Sequence, residues 1–169
     1  MPKALAELVS LFNTDWYSCG NPKDEKKDSM TEMTEKEKKE FLADLHVGIL
    51  SLNDNSKGPL TAPIWYDYKP DGELWFITGP NSRKGKLLKQ GVRLSLVAQD
   101  EEPPYKYVSI EGPVVSIGQA NKDHLLSMAI RYLGDEQGKK YAQNSQTKTG
   151  VIVPVKPERW LSVDYGKLN

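Results

Sequence analysis

The chain has 169 residues, 38% of them hydrophobic and 27% charged, which is the composition of a soluble globular protein with room for one domain. Lysine plus arginine equals aspartate plus glutamate at 23 each, so the positive surplus of nucleic-acid-binding proteins is missing and nucleic acid is not an expected partner. No apolar run approaches the roughly 20 residues of a membrane span, and we expect a cytoplasmic protein without a membrane partner.

We predict that residues 1–29 form an N-terminal extension and that residues 30–169 form the domain proper. Helical spacing of apolar residues predicts a short amphipathic segment at Leu5, Leu8, Val9 and Phe12. The polar run "CGNPKDEKKDS" that follows indicates a linker. Thr34 and Glu37 then form a capping-box pattern, which predicts a helix carrying Phe41, Leu42 and Leu45 toward the core.

Apolar or alternating runs of strand length come next. They are "HVGILSL" (46–52), "LTAPIWYDY" (60–68), "ELWFIT" (73–78), "RLSLVA" (93–98) and "YKYVSIEGPVVSI" (105–117). Asp71 and Gly72 between two such runs are typical of a hairpin turn. Helices are predicted near Lys122–Leu133 and Asp135–Asn144, and "GVIVPVKPERWLSVDY" predicts two strands meeting near Lys156 and Pro157. This order favours a mainly β fold, a closed or nearly closed antiparallel barrel with flanking helices.

The chemistry-bearing residues are few. Cys19 is the only cysteine, and the two histidines, His46 and His124, are far apart and in no metal-ligand spacing, so a zinc site is not expected. His46 is expected to be a half-buried strand residue and His124 a solvated helix residue. A borrowed cofactor is therefore the expected carrier of any reaction.

A basic segment after "ITGPN" is the most informative local feature. Residues 82–90 predict a helix that begins with Ser82 and carries Arg83, Lys84 and Lys86 in its first turn, where the helix dipole is already positive. A phosphate would bind the backbone donors, the Ser82 hydroxyl and these cations together. The alternative is that all three cations point to water.

The run "LTAPIWYDY" carries a proline inside a predicted strand. Pro63 indicates an edge strand or a bulge, and the free backbone groups of Thr61, Ala62, Ile64 and Trp65 would suit the rim of a flat heterocycle. An ordinary edge strand remains the alternative. In "AIRYLG", Ile130 and Leu133 are expected to face the core and Gly134 to end the helix. Arg131 and Tyr132 either support this helix or reach a cofactor and a dimer interface.

The order of "HVGILSLND", "PLTAPIWYDY", "GELWFITGPNSRKGKLLKQGVRLSLV" and "YVSIEGPV" resembles the FMN-binding split-barrel family related to pyridoxamine 5'-phosphate oxidase. The resemblance covers about residues 34–117, and "AIRYLG" and "ERWLSVDY" are similar to the small flavin and deazaflavin branch of that family. It implies a Greek-key antiparallel split barrel, a homodimer, and FMN bound at the subunit interface. The activity that it implies is that of an FMN-dependent oxidoreductase acting on a small organic substrate.

The resemblance also implies which residues bind the cofactor. Arg83 and Lys84 would grip the phosphate, Lys86 and Ser82 would assist, residues 61–66 would line the isoalloxazine, and Ile77 and Thr78 would meet the ribityl chain or ring. Tyr107 or Trp160 of a second copy would complete the site.

Two departures and two alternatives accompany the resemblance. Tyr107 stands where the oxidase has a glutamine, and the oxidase's C-terminal Arg and His pattern is absent, so oxidation of pyridoxamine phosphate is not expected. A deazaflavin cofactor and a non-catalytic flavin carrier or sensor are the alternatives. No proton donor is identified, and Tyr66, Tyr107 and Tyr132 are candidates by residue type only.

Overall fold

The computed structural model describes residues 30–55, 57–145 and 150–168, so the predicted extension of residues 1–29 lies outside the described residues. The helices are α1 (Glu35–Ala43), α2 (Arg83–Leu87), α3 (Lys122–Leu133) and α4 (Asp135–Asn144). The strands are β1 (Gly48–Leu52), β2 (Leu60–Ile64), β3 (Tyr66–Tyr68), β4 (Leu74–Thr78), β5 (Arg93–Gln99), β6 (Lys106–Pro113), β7 (Gly118–Gln119), β8 (Val151–Val155) and β9 (Arg159–Asp164). A 3-10 turn, Tyr165–Leu168, follows β9. Within the described ranges, no helix is long and apolar enough to cross a membrane.

The strands form two antiparallel sheets. One has the order β2-β1-β5-β6-β9 and the other the order β3-β4-β8-β7. They are joined on one side, where Lys156 N donates to Pro113 O (3.1 Å) and Val115 N donates to Pro154 O (2.8 Å). Gly112 permits this crossing, because a Cβ there would overlap the Lys156 carbonyl. The prediction of a mainly antiparallel β fold with flanking helices is confirmed, but the described strands do not close into a barrel.

One hydrophobic core lies between the sheets. Strands β1, β3 and β4 alternate buried and half-buried residues, so one face of each sheet supplies the core. The five-stranded sheet contributes Leu50, Leu52, Leu94, Leu96, Ala98, Val108 and Ile110. The other sheet contributes Tyr66, Tyr68, Leu74, Phe76, Val153 and Val155.

Helix α1 follows its predicted capping box. Thr34 N donates to Glu37 Oε2 (2.7 Å), and Glu37 N donates to Thr34 Oγ1 (3.3 Å). Phe41 and Leu42 are buried as predicted, but Leu45 is 55% exposed. The prediction for Leu45 was wrong because the helix ends at Ala43, so the helical spacing no longer determines where Leu45 points.

The turn and helix signals in the second half of the chain are confirmed. Asp71 has a positive φ of 64° between β3 and β4, and Gly134 ends α3 with a φ of 77°. Both C-terminal helices and the two strands that meet near Lys156 are present. Ile130 and Leu133 are half-buried rather than fully buried.

Three predicted elements have different lengths. The run 60–68 is divided at Trp65 into β2 and β3, which belong to different sheets. The run 105–117 contributes β6 only as far as Pro113, because the chain then crosses to the other sheet through an isolated bridge from Val114 to Val155. The helix predicted over 82–90 has five residues.

Candidate cofactor-binding site

The basic segment lies where β4 turns into α2. Ser82 is the N-cap of α2, and its hydroxyl donates to Gly79 O (2.7 Å) and accepts from Gly85 N (3.0 Å). The Thr78 hydroxyl oxygen lies 3.3 Å from the Ser82 hydroxyl oxygen. Ser82 is therefore engaged in holding the turn, which was not part of the expectation from the sequence.

Gly85 fixes the shape of this turn more than Gly79 does. A Cβ on Gly85 would overlap the carbonyl oxygens of Gly79 and Pro80, whereas a Cβ on Gly79 would only touch Ser82. Gly85 therefore lets the Gly79 and Pro80 backbone pack closely against α2.

The cations of α2 occupy different environments. Arg83 Nη2 lies 3.1 Å from Oδ2 of Asp54, whose side chain is only 14% exposed. Lys84 is half-buried and Lys86 is exposed, and neither forms an ion pair within the described ranges. A carboxylate of the chain itself thus balances one of the charges that the sequence interpretation assigned to a bound anion. The positive charges of Lys84 and Lys86 are balanced by no carboxylate within the described ranges.

Backbone donors lie beside these cations. In the described part of the chain, the N–H groups of Arg83 and Lys84 donate to no acceptor, because the first N–H groups of a helix have no intrahelical partner. The N–H groups of Gly85 and Lys86 are bound to Ser82. Since α2 has only five residues, its dipole is small, and the donors and side chains rather than the dipole would attract an anion.

Strand β2 is an edge strand of its sheet. Among the strands of the described residues it pairs with β1 only, with Pro63 opposite Ile49 and Ala62 opposite Leu50, which confirms the edge position that Pro63 predicted. Backbone groups on the unpaired side of an edge strand are available to other partners. Thr61 and Pro63 are exposed, and Ala62 is half-buried. The backbone of β2 is therefore accessible, as a role at the rim of a heterocycle requires.

The break at Trp65 is held from a distant helix. The Tyr132 hydroxyl accepts from Tyr66 N (2.9 Å) and lies 2.7 Å from His46 O and 3.0 Å from Tyr66 O. The rings of Tyr132 and Trp65 stack with centroids 4.8 Å apart. Because Tyr66 pairs with Phe76 in antiparallel strands, Trp65, which precedes Tyr66, lies level with Ile77, which follows Phe76. Tyr132 thus fixes the segment that joins β2 to β3.

Arg131 supports the same region. Its Nη2 donates to Ala43 O and Asp44 O, both at 2.7 Å, and its Nη1 lies 3.6 Å from Asp67. These carbonyls end α1, so Arg131 joins α1 to α3. Of the two alternatives left open for Arg131 and Tyr132, these contacts favour internal support. The "AIRYLG" motif marked both residues, but no local pattern indicated their partners.

Tyr107 and Trp160 lie apart from the α2 turn in this chain. Tyr107 is on β6, three strands from β2, which corresponds to ~14 Å across the sheet. Trp160 is on β9, where it packs edge-on against Tyr68 (6.0 Å) and beneath the Lys38 ammonium (5.9 Å). Tyr107 and Trp160 of one chain therefore lie away from its own α2 turn.

The candidate proton donors differ in accessibility. The Tyr66 hydroxyl donates to Leu42 O (2.9 Å), and burial raises the pKa of Tyr66 far above its ordinary value. Burial also raises the pKa of Tyr132, whose hydroxyl is bound to backbone. Tyr107 is half-buried, and burial raises its pKa. The hydroxyl groups of Tyr66 and Tyr132 thus serve the structure.

The histidines have structural surroundings. His46 precedes β1 instead of lying in it and stacks on Phe41 with centroids 4.3 Å apart. His124 Nδ1 accepts from Asn121 N (3.3 Å) in the capping box of α3. No cluster of three or more His, Cys, Asp or Glu capable of holding a metal ion occurs in residues 30–55, 57–145 and 150–168.

A cavity of ≈ 620 Å³ opens on the side of α2 that faces β5. The β1–β2 loop, α2 and the start of β5 surround it, and its charged lining residues are Asp54, Lys86, Lys89 and Arg93. Its size is within the range of small-molecule sites, and cations outnumber the single acid. The positive charge of the α2 turn thus continues along one side of the molecule.

The fold consists of two antiparallel sheets with flanking helices, and the candidate site is the basic turn between β4 and α2. The chain belongs to the pyridoxamine 5'-phosphate oxidase family, since the model of that family matches residues 34–164. The family resemblance found in the sequence is confirmed.

Solved structures share the fold. A conserved hypothetical protein, Rv2991, from Mycobacterium tuberculosis is 25% identical, with 85% of this chain and 92% of that chain covered and a TM-score of 0.69. An F420 reductase is 19% identical over 73% of this chain and 94% of that chain, with a TM-score of 0.61. An FAD-binding protein from Mesorhizobium loti is 16% identical over 77% and 93%, with a TM-score of 0.53. Comparison with curated proteins gives no match.

Proposed function

We propose that this chain binds FMN at the β4–α2 turn and acts as a flavin-dependent oxidoreductase on a small organic substrate. The observation that carries the proposal is the juxtaposition, at one turn, of two unused backbone N–H groups with the Lys84 ammonium and with the Arg83 guanidinium, which has N–H donors besides the Nη2 bound to Asp54. A phosphate monoester has acceptor oxygens for all four groups. When bound, the flavin would supply the hydride or electron transfer, for which the protein supplies binding and orientation.

The remaining predicted residues suit the rest of FMN. Thr78 and Ile77 end the strand that leads into the turn, so they adjoin any ligand whose phosphate lies there. The free edge of β2 and the Trp65 segment offer backbone groups to the polar rim of a ring. Trp65 itself is held by Tyr132, which keeps this edge in one place.

The proposal includes a homodimer. The outer face of the five-stranded sheet carries a continuous row in which Ile49, Val97, Ser109 and Leu161 are register neighbours. Leu161 is 54% exposed, and Val47 at the end of this face is 50% exposed. A second copy packed on this face would cover these apolar groups and would bring its Tyr107 to the flavin. Light scattering at several concentrations tests the dimer.

The phosphate anchors are tested by the double variant Arg83→Ala/Lys84→Ala. Loss of two charge-assisted interactions of about 1.5–3 kcal/mol each weakens FMN binding roughly 100-fold or more. The matched control is Lys36→Ala/Lys69→Ala, which removes two cations that are exposed and lie outside the turn. Fluorescence titration with FMN measures affinity, and circular dichroism checks the fold. Wild-type affinity in the first variant would refute the site.

A deazaflavin cofactor is the second candidate, and the cationic cavity beside α2 favours it. A deazaflavin of the F420 type has a longer anionic tail than FMN, and Lys86 and Lys89 line the cavity into which such a tail would extend. Lys89→Ala should weaken F420 binding and leave FMN binding nearly unchanged if the tail lies there. If the wild-type protein binds FMN and F420 with equal affinity, the cavity does not bind the longer tail, and the deazaflavin candidate loses its support.

Turnover separates an enzyme from a carrier or sensor. Protein loaded with its preferred cofactor is mixed with NADH, NADPH or dithionite and a series of small organic acceptors, and the flavin absorbance is followed. Reduction followed by acceptor-dependent reoxidation is the expected result. Firm binding without any such cycle would indicate a non-catalytic flavin-binding dimer.

A further inference from the structure

A second cavity lies at the opposite end of β5 from α2. β5 has seven residues, so the two sites are ~20 Å apart along the strand. This cavity has a volume of ≈ 370 Å³ and is formed by the end of β5, the start of β6 and the turn after β9. Its lining residues are Gln99, Asp100, Glu101, Tyr105, Lys106, Tyr107 and Tyr165.

Aromatic side chains dominate this cavity, which we name the tyrosine cavity. Three of its seven lining residues are tyrosines, and Tyr165 N donates to Tyr105 O (3.1 Å), which holds two of them together. Tyr107 is half-buried, and its pKa is raised by burial and by Tyr165, so its ring stays neutral at physiological pH. Neutral phenol rings present electron-rich faces that attract cations.

The charges around the tyrosine cavity have a negative sum. The Lys106 ammonium is 3.3 Å from Asp164 Oδ2, so its charge is balanced outside the cavity lining. Asp164 is fixed in turn, since its other carboxylate oxygen accepts from Gly166 N (2.8 Å). Asp100 and Glu101 remain, and His46 Nδ1 lies 3.7 Å from Asp100 Oδ1.

We propose that the tyrosine cavity binds a small organic cation, an alkylated ammonium group held by the tyrosine rings and by the carboxylates of Asp100 and Glu101. Such a group has a diffuse charge and apolar methyl groups, which match electron-rich rings better than a compact hydrated ion does. The cavity volume suits a ligand of this size. The inference goes beyond the proposed function, and its test uses protein without flavin because Tyr107 is also the residue that a second copy would bring to the flavin.

The test uses choline as the probe and 3,3-dimethylbutan-1-ol as its uncharged isostere. Full-length protein without added cofactor is titrated with each, and binding is followed by NMR of the tyrosine ring protons. We expect choline to saturate at millimolar concentrations and to bind at least about fivefold more tightly than the isostere, since only choline has the charge. Absence of saturation, or equal binding of the two compounds, would overturn the proposal.

Variants assign the binding to this cavity. Tyr105→Leu keeps an apolar side chain at a position that is 45% exposed, and Glu101→Gln removes one charge. Each should weaken choline binding at least about threefold. Glu102→Gln is the matched control, because this neighbouring carboxylate is exposed and does not line the cavity. Choline affinity that is equal in all three variants would refute the site, and unchanged amide spectra establish that the variants are folded.

Discussion

Replacing Tyr132 with Phe removes one oxygen atom from the junction between the two sheets. The Tyr66 N–H group then loses its acceptor at 2.9 Å, and one of two carbonyls, His46 O at 2.7 Å or Tyr66 O at 3.0 Å, loses the hydroxyl proton. An unsatisfied buried donor or acceptor costs about 1–3 kcal/mol, so two of them give a loss of roughly 2–4 kcal/mol after partial hydration. The stack on Trp65 is retained, because phenylalanine has the same ring.

Urea denaturation followed by circular dichroism measures this loss. Tyr141→Phe is the matched control, since Tyr141 also contacts Trp65 (5.8 Å) but is 45% exposed, and its change should stay within about 0.5 kcal/mol. If Tyr132→Phe is as stable as Tyr141→Phe, the hydroxyl does not hold the junction and the reasoning is wrong. A flavin affinity that falls in Tyr132→Phe and not in the control would link the junction to the proposed site.

Further predictions concern the helix, the core and the basic turn. The hydrogen bond from Lys167 (2.6 Å), together with Thr34, holds the pKa of Glu37 at about 2 instead of 4.5, so this carboxylate stabilises the fold above pH 4.5 and loses that effect as the pH falls toward 2. The thermal midpoint should therefore fall less over this window in Glu37→Gln than in the wild type. The corresponding difference in the free energy of unfolding is at most about 1 kcal/mol, because the pair is on the surface. Leu42→Ala should destabilise by about 2–5 kcal/mol and Leu45→Ala by less than about 0.5, and equal losses would contradict the observed packing of α1. Gly85→Ala should cost more than about 2 kcal/mol because its Cβ overlaps backbone carbonyls, whereas Gly58→Ala, where a Cβ meets nothing within 4 Å, should be nearly neutral.

Features that depend on neighbouring residues could be predicted from the sequence. The capping box of α1, the hairpin at Asp71 and the helix end at Gly134 each involve residues within a few positions of one another, so their side chains and dihedral preferences are already present in the local sequence. The alternation that buries every second residue is equally local. The sequence also carried the family resemblance, and with it the basic turn as a candidate site.

Tertiary structure alone decided how those elements meet. The split of the run 60–68 at Trp65 depends on Tyr132, which is 66 residues from Tyr66, and the charge on Arg83 is balanced by Asp54, which is 29 residues away. The tyrosine cavity likewise needs Tyr165 beside Tyr105. No pattern of period two or 3.6 specifies such contacts, because they arise only when strands and helices distant in sequence pack together. The charge that remains for a ligand at the candidate site is therefore a property of the folded chain.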